Sequence, residues 1–503
     1  MINTLKIPPS DGKKHLSLFL HSKGIFPASP CGGRGACGKC KIKVLQGDFI
    51  SHVTGERLIP DENGFILSCL ALCPKDGGVI TIPSEEELSS YKTNSNRNGV
   101  TSYVGDVNVA LDLGTTTLAM KFLSPEKESL CEVSLLNPQK AFGSDVITRI
   151  EKSRESLFEM QDCVLSEVRK AAAEFLRFSP NAFLKKLTVA GNPTMLHIFC
   201  GISPEALGVY PFTPVFTETK TLSGEDINLP FDEIILLPSA SAFIGSDVLC
   251  GALVCDMLSL ETPSLLIDLG TNGEIILCGN GRLIAASTAA GPALEGANIS
   301  CGIGGVTGGI SKITQTGGGL VFETVNDGHP VGLCGSGLVD LVTCLLDDGT
   351  IDETGYMETP FHISGMHKTA KGITDVVMTP VSLTPKDVRE FQVAKSAVRA
   401  GIEILLNASE LSYNDIGQVF LTGGLNAHIN IISAIRTGIF PCEFAGKITS
   451  VGNTALKGSE MCLAECSLKE LSAIADCCET LELNSIPEFP SLFAQYMMFE
   501  KRD

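Results

Sequence analysis

Four cysteines near the start of the chain have the type and spacing to hold iron. Cys31, Cys37 and Cys40 stand at C-x5-C-x2-C in CGGRGACGKC, and Cys69 follows after 28 further residues, with Cys73 four positions beyond it. Each iron of a 2Fe-2S cluster takes two thiolates, so one loop must wrap the cluster while a remote cysteine closes it. The glycines at 32, 33, 35 and 38 accept positive φ and let backbone N–H groups approach the sulfides. Zinc is the competing ligand, but zinc sites usually pair two C-x2-C knuckles and the second knuckle is absent.

A second set of residues could handle phosphate. In VNVALDLGTTTLAMKFL, Asp112 ends an apolar strand before Gly114, Thr115 and Thr116, and a strand returns. SLLIDLGTNGEIILCG repeats the pattern 156 residues later, with Asp268 before Gly270, Thr271, Asn272 and Gly273. Each turn offers backbone N–H and hydroxyl or amide donors to phosphate oxygens, while an aspartate at the strand end can hold hydrated Mg2+. QVFLTGGLNAHI then runs a strand into Gly423 and Gly424, where missing side chains let a base and ribose lie on the backbone, with Asn426 close behind. A single Asp-x-Gly-Thr turn is more often a plain hairpin; the ordered set of three is the signal. No G-x4-G-K-[ST] loop is present.

The elements that position these residues follow from the surrounding pattern. KIKVLQG continues from the cysteine loop as a strand and GGVITIP ends the unit with another, giving a compact β-rich head over residues 1–84. Residues 84–105, SEEELSSYKTNSNRNGVTSYVG, are rich in Ser, Asn and Glu and read as a flexible linker, centred on 85–104. Beyond it, apolar strands alternate with helical stretches such as DVITRIEKSRESLFEMQDCVLSEVRKAAAEFL, so the body is α/β, divided at the repeat into lobes 105–262 and 263–503.

Bulk composition excludes several functions. The 503 residues carry a formal charge of −19, which repels nucleic acid. Residues 1–84 hold ten Lys and Arg against six Asp and Glu, so a head of +4 sits on a body of −23, suited to docking on that body or on an acidic redox partner. The 19 cysteines are odd in number, and MINTLKIPPS has no basic segment followed by an apolar one. No 18-residue apolar run occurs; the richest stretch, Val248 to Leu258, is broken by Asp256. The expectation is a cytoplasmic protein without membrane or nucleic-acid partners.

The cysteine spacing resembles β-grasp 2Fe-2S ferredoxins, and that resemblance places the fourth ligand at Cys69 in LSCLALC. The three later motifs resemble the phosphate-1, phosphate-2 and adenosine motifs of the actin/Hsp70/sugar-kinase (ribonuclease H-like) ATPases, which hold ATP between two lobes. Together they resemble the reductive activators of corrinoid-dependent methyltransferases and corrinoid iron–sulfur proteins. NPQKAFGSDVITRI, GNPTMLHIF, SAFIGSDVLCGAL, AAGPALEGANISCGI, GLCGSGLVDLV and FQVAKSAVRAGIEILL look like that family's C-terminal domain. Longer members carry an additional middle domain, whereas here about twenty residues separate head from body.

The resemblance implies ATP-dependent reduction of cob(II)alamin to cob(I)alamin on a partner corrinoid protein. Cys31, Cys37, Cys40 and Cys69 would hold the relay, and Asp112 and Asp268 would organise Mg2+ and the attacking water. The Gly/Thr turns would hold phosphates, and Gly423, Gly424 and Asn426 the nucleoside. Glu295 in GPALEG and Lys395 in FQVAKSA are further cleft candidates, against the plainer roles of a capped turn and a helix-surface charge. A low-potential electron donor and a homodimer are also implied. No D-x-H-x-x-G motif occurs, which gives the corrinoid to the partner, and Cys462, Cys466, Cys477 and Cys478 lack the 4Fe-4S run and read as structural. The alternatives are a small-molecule kinase with a fused redox domain, a nucleotide-gated electron-transfer module without turnover, and an activator of 2-hydroxyacyl-CoA dehydratases.

Overall fold

The computed structural model describes residues 3–23, 25, 40–61, 64–82, 102–143, 145–270, 272–296, 298–423 and 429–500. The linker expected over 85–104 thus lies almost wholly outside the described residues. Two compact units emerge, residues 1–187, 194–215 and 221–234 in one and residues 188–193, 216–220 and 235–503 in the other.

In the first unit the head is a four-stranded sheet in the order Asn3–Ile7, Gly78–Ile82, Lys41–Gln46, Phe65–Leu67. The two strands expected from KIKVLQG and GGVITIP are neighbours in it, Val44 pairing Ile80. Helix Leu16–Ser22 covers one face because Leu16, Phe19 and Leu20 fall on one side and meet Ile7, Ile42, Phe49, Ile66, Ala71 and Ile80.

The phosphate-1 hairpin is built as the sequence suggests. Strands Val104–Leu113 and Thr117–Leu123 pair antiparallel, with Asp112 opposite Ala119. Val107, Val109, Ala110, Leu111 and Leu113 are wholly buried, which fixes where the strand ends and so where Asp112 sits. Helix Val146–Phe178 realises the long amphipathic stretch; Asp145 caps it by accepting from the Thr148 amide at 2.8 Å, and Ser156 leaves helical geometry inside it.

In the second unit a six-stranded sheet runs in the order Ile448–Gly452, Gln418–Thr422, Ser264–Leu269, Gly273–Gly279, Arg282–Thr288, Cys478–Leu481. Helix Pro385–Ala408 packs on its strands Gly273–Gly279 and Arg282–Thr288, started by a capping box in which Thr384 and Asp387 serve each other's backbone. A five-stranded sheet follows, in the order Gly332–Leu333, Gly309–Thr316, Gly319–Thr324, Phe361–Thr369, Gly372–Leu383. No helix among the described residues is long and apolar enough to cross a membrane.

Helix Gly335–Asp347 lies so close to strand Gly309–Thr316 that a Cβ on Gly337 would stand 2.3 Å from the Ile310 carbonyl oxygen. Backbone cannot retreat as a side chain can, so Gly337→Ala should cost about 1–3 kcal/mol in chemical denaturation. Gly305→Ala, where a Cβ meets nothing within 4 Å, should leave the midpoint unchanged.

Candidate functional site

At the head, Cys40 immediately precedes strand Lys41–Gln46 and Cys69 lies in the one-turn 3-10 helix Ser68–Leu70. The Ser68 amide donates to the Cys40 carbonyl at 2.9 Å, which joins the two segments. Both cysteines are buried. The Cys69 thiol beside Cys40 pulls the Cys40 thiol down to about 6, into the range where it is a thiolate and a competent metal ligand at neutral pH. Cys73 has a different neighbourhood: its thiol faces the His15 carbonyl at 3.9 Å in the apolar core, and burial pushes it up. Cys31, Cys37 and the loop glycines lie outside the described residues.

The phosphate-1 turn, residues 114–116, is tied back through its carbonyls. Asn137 donates from Nδ2 to the Gly114 carbonyl at 2.7 Å and from its amide to the Thr116 carbonyl at 2.9 Å. Arg149 donates from Nη2 to the Thr115 carbonyl at 2.5 Å. Gly114 is obligatory here, since a Cβ would stand 2.7 Å from the Thr117 carbonyl oxygen. Asp112 is buried at the strand end just before the turn.

The phosphate-2 hairpin in the second unit is not an exact copy. Leu113 pairs Leu118 in the first hairpin, but Leu269 pairs Gly273 in the second, so this turn is one residue shorter. The shorter turn sets Asp268 directly across from Glu274. On its other side Asp268 pairs Thr422, the last residue of the strand that carries the nucleoside motif. Phosphate-2 and nucleoside segments therefore follow side by side from the same end of two neighbouring parallel strands inside the sheet. Thr422 is fixed by bonds to the Gly452 carbonyl (2.8 Å) and the Thr454 hydroxyl (2.7 Å). Gly423 takes φ +100°, a conformation that favours glycine, while Gly424 and Asn426 lie outside the described residues, as does Thr271.

Negative charge collects around this turn. Glu274 accepts from Ser287 at 3.3 Å, and burial, with Asp247 and Asp268 nearby, raises its carboxyl well above the usual range. Asp247, in the first turn of helix Ser246–Val254, is raised by burial to about 6. Glu295 ends the 3-10 helix Pro292–Glu295 with Oε1 3.8 Å from the Cβ position of Gly270, so the structure does bring it to the turn. Among the described residues no three His, Cys, Asp or Glu side chains converge as a ready-made metal cage. The set suits Mg2+, which takes one or two carboxylates and draws its other ligands from phosphate and water.

Lys395 is placed elsewhere. It is 1% exposed, which rules out a helix-surface charge, and its ammonium donates to the carbonyls of Tyr496 (2.6 Å) and Met498 (2.7 Å) over the Phe499 ring. Gln392 holds the Met497 carbonyl at 2.7 Å and Ser396 the Phe493 carbonyl. These residues fasten the C-terminal segment to helix Pro385–Ala408; none of the described bonds of Lys395 serves the phosphate or nucleoside motifs. Among the C-terminal cysteines, Cys462 and Cys478 are buried, and Cys466 and Cys477 are exposed.

Three family models match in order along the chain: a 2Fe-2S iron–sulfur cluster binding domain over residues 3–73, the RACo middle region over 107–259, and the C-terminal domain of RACo, the ASKHA domain, over 262–503. The chain belongs to the RACo family. The ferredoxin-like head and the α/β ATPase-type body expected from the sequence are thereby borne out. One expectation is overturned: the RACo middle region is present, on the residues expected to form the first ATPase lobe. Over 419 residues the chain is 28% identical to the corrinoid activation enzyme RamQ of Eubacterium limosum, covering 78% of this chain and 70% of that protein. It is 26% identical over 413 residues to the [Co(II) methylated amine-specific corrinoid protein] reductase of Methanosarcina barkeri, covering 73% and 72%. A solved reductive activator for corrinoid, iron–sulfur protein shares the fold at TM-score 0.69 and 23% identity, over 97% of this chain and 96% of that one.

For this RACo chain the sequence motifs left out Asn137, Arg149, Asp247 and Glu274. Each stands inside a stretch already singled out, NPQKAFGSDVITRI, SAFIGSDVLCGAL or DLGTNGE, but only register and burial reveal its partner.

Two outcomes test these placements. Lys395→Met should lower the thermal midpoint by unpairing two carbonyls and leave nucleotide affinity unchanged. Asp247 is a carboxyl whose folded pKa lies above its unfolded one, so it costs stability as pH rises from about 4 to about 6 and the full cost persists above that. Asp247→Asn should therefore stabilise the nucleotide-free protein at pH 8, by on the order of 2 kcal/mol, and do little at pH 4.

Proposed function

We propose that this chain reactivates a corrinoid protein reductively, delivering one electron to cob(II)alamin to restore cob(I)alamin at the expense of ATP. The observation that carries the proposal is the presence in one chain of a 2Fe-2S domain and both RACo segments, in a protein similar to a named corrinoid activation enzyme and a named corrinoid-protein reductase. We assign residues 1–84 as the redox head, 85–104 as linker, and 105–262 and 263–503 as the two halves of the ATPase body.

The donor set of the head fits a 2Fe-2S cluster: Cys40 and Cys69 are brought together and Cys40 is tuned toward thiolate, with Cys31 and Cys37 completing the set from the loop. When bound, the cluster supplies a one-electron relay. Restoring cob(I)alamin is uphill from an ordinary ferredoxin-type potential, and for one electron a tenfold bias in the ratio corresponds to about 59 mV. Nucleotide binding energy offsets that deficit if it favours one docked state of the partner over another.

In the body, we assign Gly114, Thr115 and Thr116 to phosphate binding, and likewise Gly270, Thr271, Asn272 and Gly273. Asp112 and Asp268 are the residues that would hold Mg2+ and orient the attacking water, with Glu295 beside the second turn. Gly423, Gly424 and Asn426 receive the nucleoside, a placement supported by Thr422 standing next to Asp268 in the sheet. The basic head suits an acidic partner surface, the electron source is a low-potential donor, and we take the working form as a cytoplasmic homodimer.

The test is optical. Anaerobic protein, reductant and a candidate corrinoid partner should regenerate the cob(I)alamin spectrum with ATP and scarcely without it. Asp268→Asn should cut the ATP-dependent rate about a hundredfold or more, and Cys69→Ser should abolish reduction. Phosphorylation of a sugar or carboxylate, with no effect on the corrinoid protein, would overturn the proposal.

A further inference from the structure

Arg149 is the largest fully buried side chain described, at 0% exposure in the first turns of helix Val146–Phe178. A buried guanidinium ordinarily has a carboxylate partner, because an uncompensated charge in the interior is costly. Among the described residues this one ends none of its hydrogen bonds on a carboxylate. Nε donates to the Gly143 carbonyl (3.0 Å), Nη1 to Gln139 Oε1 (3.3 Å) and to Met195 Sδ (3.0 Å), and Nη2 to the Thr115 carbonyl (2.5 Å). Asp145 and Cys163 act on it only through space, and although burial lowers it to about 10, it remains charged at neutral pH.

The whole neighbourhood holds it in place. Asp145 caps the helix that carries it, Gly143 is kept free of a side chain because a Cβ would stand 2.8 Å from Thr148, and Gln139 is anchored by its own bond to the Met160 carbonyl (3.0 Å). Among the described residues no carboxylate bonds directly to this charge and Asp145 offsets it only through space, which leaves room for an anion from outside to complete its compensation. The one polar element it reaches that belongs to the site is the phosphate-1 turn.

We propose that Arg149 is the positioning residue of the phosphate-1 turn, and that the phosphate chain of the bound nucleotide is its counter-ion, sensed through the Thr115 carbonyl. The peptide that accepts from Arg149 carries its N–H on Thr116, and a carbonyl bonded to a cation makes the N–H of the same peptide a stronger donor. With Asn137 holding the flanking carbonyls of Gly114 and Thr116, the turn keeps one shape, and the guanidinium adds positive potential behind it. Arg149 touches no substrate atom; it acts through the turn. Its contribution therefore scales with the number of phosphates and is small for the nucleoside.

This inference rests on the proposed nucleotide site, and the experiment separates the two. Dissociation constants of ATP, ADP and AMP are measured by calorimetry for the full anaerobic protein and for Arg149→Met and Gln139→Glu. Arg149→Met should weaken ATP about tenfold or more, ADP nearly as much, and AMP by less than about twofold. Gln139→Glu keeps Arg149 but sets a carboxylate against it, so it should remain folded and still show the same phosphate-dependent loss. Equal losses for ATP and AMP, or a folded Gln139→Glu variant with ATP affinity unchanged, would overturn the role of Arg149 alone. A wild-type protein that binds none of the three nucleotides would overturn the nucleotide site and this inference together.

Discussion

The hydrogen-bond register of one short hairpin governs the second unit. Because Leu269 pairs Gly273, three residues turn the chain and Asp268 is set between Glu274 on one strand and Thr422 on the other. A turn one residue longer, as in the first unit, would slide Glu274 to the opposite face and remove the carboxylate from beside Asp268. The register is secured by apolar packing: Leu265, Leu266, Ile267 and Leu269 are buried, as are Ile275, Ile276 and Leu277 across from them. Core packing thus positions a charge pair that would otherwise repel itself apart.

The two turns differ in what surrounds their strand-end aspartates. The first has the buried Arg149 and Asn137 behind it as well as Asp112 before it, so positive and negative groups are both present. The second is surrounded by Asp247, Asp268, Glu274 and Glu295, and burial raises the carboxyls of Asp247 and Glu274 above the usual range.

Much of this was legible from residue types. The cysteine spacing pointed to the head, and the two Asp-x-Gly-Thr turns with the later Gly-Gly pair pointed to the ATPase-type body, because glycine and strand-end aspartate are local signals. The family match on 3–73, 107–259 and 262–503 accords with both. What sequence could not supply was partnership across the fold. Lys395 in FQVAKSA read as a cleft candidate or a helix-surface charge; its bonds to Tyr496 and Met498 span about a hundred positions and leave no local trace. Arg149 and Asn137 looked like ordinary members of a family stretch, and only the carbonyls they hold show that they serve the turn at 114–116. The middle region went unrecognised for a related reason: the first phosphate motif lies on the same residues, 107–259.

Equilibrium binding of ADP to the full, anaerobically isolated chain, with and without Mg2+, tests the central claim most directly. The account predicts tight binding with Mg2+ and much weaker binding without it, since the carboxylates around the second turn repel an unaccompanied phosphate chain. No binding in either condition, or binding indifferent to Mg2+, would contradict it.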